Sequence, residues 1–139
     1  MPDQPIDTLE SKRAALKEEI LSIGELRLGS LFFRHRKCGK STCACHKQSH
    51  PGHGGWVISK TAAGGKTVMS TVPGEKLLPR VRAQLAEGQR FWRLCTEYAE
   101  TNDALAKARL REEAGAQATA KKGASEKPLR KRSPAKSRR

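Results

Sequence analysis

The sequence is short of the residues that fill a core. Leu, Ile, Val and Phe account for only 24 of its 139 residues, and aromatic residues for 4%. With a formal net charge of +14, that composition borders on the range where burial no longer offsets chain entropy. Long apolar runs are missing as well. The longest strongly apolar run is Leu31-Phe32-Phe33, which excludes a membrane-spanning helix. The stretch Met1–Arg13 lacks the apolar segment of a secretory signal. The expectation is a cytoplasmic chain whose cysteines stay reduced. Acidic residues are absent from the 49 positions between Glu25 and Glu75, while Arg27, Arg34, Arg36, Lys37, Lys40, Lys47, Lys60 and Lys66 fall inside that window. A segment without carboxylates offers none to hold catalytic magnesium or to serve as a general base. Nor does the chain contain a Walker, Rossmann or His-x-Glu deaminase motif. The expectation is a protein without enzymatic activity. No internal repeat of 20–50 residues is visible.

What remains divides into four pieces. Residues 7–27 read as an amphipathic helix, with Asp7 and Glu10 spaced as a capping box and Leu9, Leu16, Ile20 and Ile23 on one stripe. Residues 30–72 read as three short strands. The first starts at Leu31, the second spans Gly55 to Thr61, and the third spans Lys66 to Val72. The last two are joined by an Ala62-Ala63-Gly64-Gly65 turn. Residues 75–112 read as a long helix entered near Pro79. Its expected stripe is Val81, Leu85, Gly88, Trp92, Cys95, Ala99, Asn102 and Ala106, widened by Phe91, Tyr98 and Leu105. That stripe resembles a coiled-coil seam with Asn102 as a polar register residue. Antiparallel packing of the first helix on it within a monomer is favoured over a dimer seam, because short helices need tertiary partners. Residues 113–139 are Ala, Gly, Ser, Pro, Lys and Arg with little else.

The expected fold is therefore α+β. A small three-stranded antiparallel sheet with a cysteine/histidine loop is flanked by two helices packed as a hairpin. The expected boundaries are a disordered N-terminus over 1–6, one domain over 7–112 and a disordered Lys/Arg-rich tail over 113–139.

The chemistry is concentrated in residues 38–53, which hold three of the four cysteines and three of the four histidines. A structural zinc takes four thiolate or imidazole ligands in a closed tetrahedron. Cys38, Cys43 and Cys45 with one histidine supply that set. His53, between Pro51-Gly52 and Gly54-Gly55, is the preferred fourth ligand, His50 stays open, and His46 sits too close to Cys45. Gly39 is expected to make a tight turn with positive φ that aims backbone N–H groups at sulfur, and Lys40 to offset thiolate charge. A loop of free thiols and a Cys43–Cys45 redox pair are the competing readings. Cys95 reads as a small core residue. A lean body of this kind needs such a staple.

The basic balance, with a pI near 10.2, implies a polyanionic partner, most simply nucleic acid, with DNA favoured over RNA. Arg34, Arg36, Lys37, Lys40 and Lys47 beside the loop are candidate phosphate contacts. Lys121, Lys122, Arg130, Lys131 and Arg132 in the tail would add sequence-independent affinity. His35 and Trp56 could stack on bases, although core packing is the simpler place for Trp56. The alternative is a protein-interaction module that docks a larger recombinase or other partner through its helical hairpin.

One resemblance joins these pieces. Arg27-Leu28-Gly29-Ser30-Leu31, Cys38-Gly39-Lys40, Cys43-Ala44-Cys45, His53-Gly54, the Gly65-Lys66 hairpin and the long helix together form one pattern. It is similar to a family of short, uncharacterised prokaryotic proteins with a Gly-Ser-Leu…Cys-Gly-Lys-x-x-Cys-x-Cys…His-Gly-Pro-Tyr signature. The resemblance covers roughly residues 24–106, and Gly55-Trp56 stands where the pattern has Pro-Tyr. It implies Cys38, Cys43, Cys45 and His53 as the ligand positions. It also implies a setting beside transposases or integrases, with no assigned activity.

Overall fold

A computed structural model describes residues 3–125. Helix α1 (Ile6–Leu21) leads into strands β1 (Ser30–Arg36), β2 (His53–Thr61) and β3 (Thr67–Thr71). A one-turn 3-10 helix (Glu75–Leu77) then opens onto helix α2 (Leu78–Ser125). The sheet is antiparallel in the order β1-β2-β3, with Leu31 opposite Ile58 and Ile58 opposite Ser70. The α+β architecture expected from the sequence is the one found.

Alternation decides which sheet face is covered. Ile58, together with Val72, packs on Val81 and Leu85 of the first turns of α2, and Leu31, Trp56 and Leu78 close the edges of this cluster. Fully burying each such aliphatic is worth about 1.5–3 kcal/mol, so this small core holds the sheet to the helix. Along the rest of α2 lies α1, antiparallel. Asp3 pairs with Arg111 at 2.5 Å and Glu10 with Arg109 at one end. At the other, Arg90 donates to Ser22 Oγ at 3.2 Å and Gly24 N–H to Glu87 at 3.1 Å. Leu9 and Leu16 are buried, and Ile20 and Ile23 half-buried, as the stripe required.

Three local expectations are corrected. First, α1 ends at Leu21 rather than at residue 27. Gly24 follows within three residues, and the connector peels off to bond α2 instead, with Arg27 N–H donating to Gln84 O at 3.0 Å. Pro5, not Asp7, occupies the cap position, and Asp7 lies in the first turn without a side-chain cap bond.

Second, the buried stripe of α2 is not a single straight line. Val81 and Leu85 face the sheet and Gly88 the connector at Arg27, whereas Leu94, Thr101 and Leu105 are buried further along, with Phe91 and Tyr98 half-buried beside them. The sheet and α1 approach the helix from different sides. The line expected through Trp92, Ala99 and Ala106 therefore runs on past the sheet into solvent, and Trp92 is 65% exposed. Asn102 is half-buried and donates to Tyr98 O at 2.7 Å on its own helix.

Third, α2 continues through residues 113–125, a stretch whose composition points to tail. This run holds five Ala and two Lys among its thirteen residues, good helix formers that only need to extend an existing helix. Lys121 and Lys122 thus sit on an exposed helical turn. Arg130, Lys131 and Arg132, like residues 1–2 of the expected N-terminal segment, lie outside the described residues.

Candidate metal centre

The end of the β1–β2 ladder builds the site. Arg36, the last residue of β1, lies opposite His53, the first of β2. The sixteen residues between them close a loop over that end. Successive turns fold it: Cys43 N–H donates to Lys40 O, His46 N–H to Cys43 O and His50 N–H to Lys47 O, at 3.0–3.1 Å. A one-turn helix (Ala44–His46) carries Cys45 inward, where it is 1% exposed. The return to β2 depends on Gly52. Its φ is +97°, and a Cβ there would stand 2.8 Å from the carbonyl carbon of Arg36. Gly39, by contrast, is not among the positive-φ glycines and has open space around it. The turn after Cys38 is made without left-handed backbone.

Cys38, Cys43, Cys45 and His53 converge, with one ligand atom from each lying within 4.8 Å of all the others. Cys38 Sγ is 3.5 Å from Cys45 Sγ, and Cys43 Sγ is 3.4 Å from His53 Nε2. Tetrahedral zinc, with bonds of about 2.3 Å to sulfur and about 2.0 Å to nitrogen, spaces its ligand atoms about 3.5–3.8 Å apart. The four residues fit a metal ion, and they are the four that the sequence pointed to. The other two loop histidines are engaged elsewhere. His46 Nε2 is 2.7 Å from Cys38 O, and His50 Nδ1 accepts from Gly52 N–H at 2.9 Å. Both support the loop's backbone, a role that sequence spacing does not reveal. Cys95, on α2, is half-buried and outside the cluster.

The electrostatics favour thiolate at Cys43 and oppose it at Cys45. The backbone N–H of Cys45, and then His53, hold the Cys43 thiol down to about 6. Burial pushes the Cys45 thiol up, despite the Cys38 N–H that donates to its sulfur at 3.4 Å. A cation in the centre resolves that conflict, because thiolates are its natural ligands.

Around the centre the basic side chains separate. Arg34 and Arg36 alternate with the residues facing α2 and so emerge on the opposite sheet face. There they line a shallow pocket of about 270 Å³ with His53, Val57, Met69 and Thr71. Arg34 Nη1 lies 3.0 Å from Met69 Sδ. Lys37 and Arg36 border a second depression with Cys38, Gly39 and His53. Lys40 and Lys47 are exposed on the loop, and Lys40 contributes its carbonyl to the turn. Trp56 belongs to the edge of the core, under the Arg82 guanidinium at 5.5 Å, with Phe33 edge-on to it. His35 is exposed beside Phe33. No helix among the described residues is long and apolar enough to cross a membrane.

No curated protein and no solved structure matches the chain. A family model does, and its match runs from the start of α1 through the sheet and the whole Cys/His loop into the first turns of α2. That is a narrower reach along the long helix, and a wider one at the N-terminus, than the resemblance drawn from the signature. By that match over residues 6–83, more than half of its length, the chain belongs to the family described as a domain of unknown function, DUF6788.

Proposed function

We propose that this protein is a zinc-stapled nucleic-acid-binding protein without catalytic activity of its own. The observation that carries the proposal is the charge of the surface built around the Cys/His cluster. From residue 26 to residue 74 there is no carboxylate, and five of the eight Lys and Arg in that window, Arg34, Arg36, Lys37, Lys40 and Lys47, flank or lie in the loop that carries the cluster. Soluble surfaces ordinarily mix both signs. A one-sign module concentrates a polyanion and gains affinity by releasing its counterions. Zinc suits the donor set, since three thiolates and an imidazole form a closed structural site. Its role would be mechanical. Joining Cys38, two residues past the end of β1, to His53 at the start of β2 would pin the ladder's register and so fix which face Arg34 and Arg36 occupy. The likeness to signature-bearing proteins encoded beside transposases supports DNA over RNA and a setting near a mobile element.

The test pairs two measurements on the full chain. Elemental analysis of protein purified without chelator should give one zinc per chain. Binding to duplex and single-stranded oligonucleotides should weaken steeply with salt. Less than a tenth of an equivalent of metal on a folded protein, or no binding to any nucleic acid at low salt, overturns the corresponding half.

A further inference from the structure

A second surface stands at the opposite end of the sheet from the metal loop. Where the α1–β1 connector, the outer end of β2 and α2 meet, a groove of about 470 Å³ opens. Leu85, Trp92 and Leu28 form its apolar wall, and Leu28 and Trp92 are 46% and 65% exposed. Other large apolar side chains are exposed on this chain, Leu21 and Leu110 among them, but Leu28 and Trp92 line one groove, and apolar patches of that kind mark interaction sites.

Two further features say what the groove fits. Its charged lining residues, Arg27 and Lys60, are both cationic, and no carboxylate lines it. It also contains open sheet edge. β1 starts at Ser30 opposite Ser59, whereas β2 runs on to Thr61. In an antiparallel ladder, successive residues aim their N–H and C=O to alternate sides. Trp56 O accepts from Val72 N–H on the β3 side, so Thr61, five residues on, turns both groups to the other side, where β1 is absent. The chain that would have filled that place leaves at Gly29 to cross α2.

We propose that this groove docks an acidic segment of a partner protein in extended conformation. The segment would continue the line of β1 along Thr61, seat one bulky apolar side chain between Leu28 and Trp92, and set its carboxylates against Arg27 and Lys60. Extended peptides add to exposed sheet edges in this way, with main-chain bonds giving affinity and pockets giving specificity. The chain's own C-terminal residues are an unsuitable occupant, since residues 121–139 hold nine Lys and Arg and one Glu. A nucleic acid would match the charge but would leave the sheet edge unused.

The probe is a fluorescein-labelled peptide Asp-Glu-Val-Phe-Val-Glu-Asp, titrated against the full chain at moderate salt, with a Lys/Arg-flanked version and an oligo-dT as comparisons. The acidic peptide should bind and shift the indole emission to the blue, and the basic one should not bind. Trp92→Ala and Lys60→Glu should each weaken peptide binding at least tenfold, a factor typical of interface anchors, while Arg36→Glu at the metal end leaves it unchanged. N-methylating the peptide at the valines should also weaken it. Trp92 is mostly exposed, so its variant should melt like the parent, which separates lost docking from lost folding. No binding of the acidic peptide, or equal binding by the Trp92→Ala protein, overturns the proposal. Equal affinity of the N-methylated peptide refutes the extended docking. If oligo-dT binding, and not peptide binding, is lost in Trp92→Ala, the groove belongs to the nucleic-acid surface instead.

Discussion

Gly88→Ala tests whether the connector between the first helix and the sheet lies on the long helix as described. Gly88 and Gly115 both sit inside α2, and replacing a helical glycine by alanine ordinarily gains about 1 kcal/mol. At Gly115 a Cβ meets nothing within 4 Å, so that gain should appear in full where the helix is formed. At Gly88 the Cβ would stand 2.0 Å from the carbonyl oxygen of Arg27 and 2.9 Å from its carbon. Backbone cannot swing aside as a side chain can. The carbonyl must retreat by roughly 1.5 Å to reach an ordinary van der Waals separation, and that movement pulls on the Arg27 N–H bond to Gln84 O. Overpacking of this kind costs about 1–3 kcal/mol, and loss of the hydrogen bond about 1 kcal/mol more. After the propensity gain the net destabilisation is about 1–3 kcal/mol, or roughly 4–12 °C in Tm for a domain of this size. Urea and thermal unfolding of metal-loaded protein, followed by helix ellipticity, give both values. If Gly88→Ala is as stable as Gly115→Ala or as the parent, the connector does not cross the helix there, and the placement of Leu28 beside Trp92 fails with it.

The remaining predictions concern the metal centre and the charge. Cys43→Ser should abolish stoichiometric zinc and unfold the module over residues 30–72 while α2 stays partly helical, whereas Cys95→Ala should keep one zinc per chain; metal analysis with circular dichroism reads both. In zinc-free protein at pH 7, iodoacetamide should label Cys43 ahead of Cys45, because the one thiol is held down to about 6 and the other is raised; peptide mapping checks the order, and zinc should suppress labelling at both. Stabilisation of the zinc-free loop by the Cys43 thiolate is complete above the ordinary thiol range and is lost as pH falls through about 6, so acidification should both loosen the apo loop and release zinc; a pH titration in which zinc retention improves below 6 contradicts this. Deleting residues 121–139 removes a net charge of +8 from the total of +14, and should flatten the slope of log affinity against log salt by about 0.9 for each duplex phosphate that the shortened chain leaves unneutralised; an unchanged slope makes that segment a spacer.

The sequence by itself determined the element types, their order and the three cysteines of the candidate metal cluster. The apolar run Trp56-Val57-Ile58, the period-two run around Val68, a glycine-rich turn and a leucine stripe are local patterns, and local patterns survive in the fold because they follow from backbone geometry. The cysteines of the cluster were legible for the same reason. Three cysteines and three histidines crowded into sixteen residues have few other ways to satisfy their donors. Choosing His53 over His46 and His50 was a matter of tertiary geometry. His53 heads a strand paired to the one that ends before Cys38, while the other two histidines are drawn onto backbone groups of the loop. The face that α2 buries was likewise decided by its neighbours. A helix of uniform pitch supplies one straight stripe, but the sheet covers one side of its first turns and α1 another side beyond them, so Trp92 is left in solvent and Leu94 and Thr101 are buried. The helical run through Ser125 was written in alanine-rich composition, yet that composition reads equally as unstructured tail. What tipped it was attachment to a helix already nucleated by tertiary packing, because extension adds a hydrogen bond per residue without repeating the cost of the first turn.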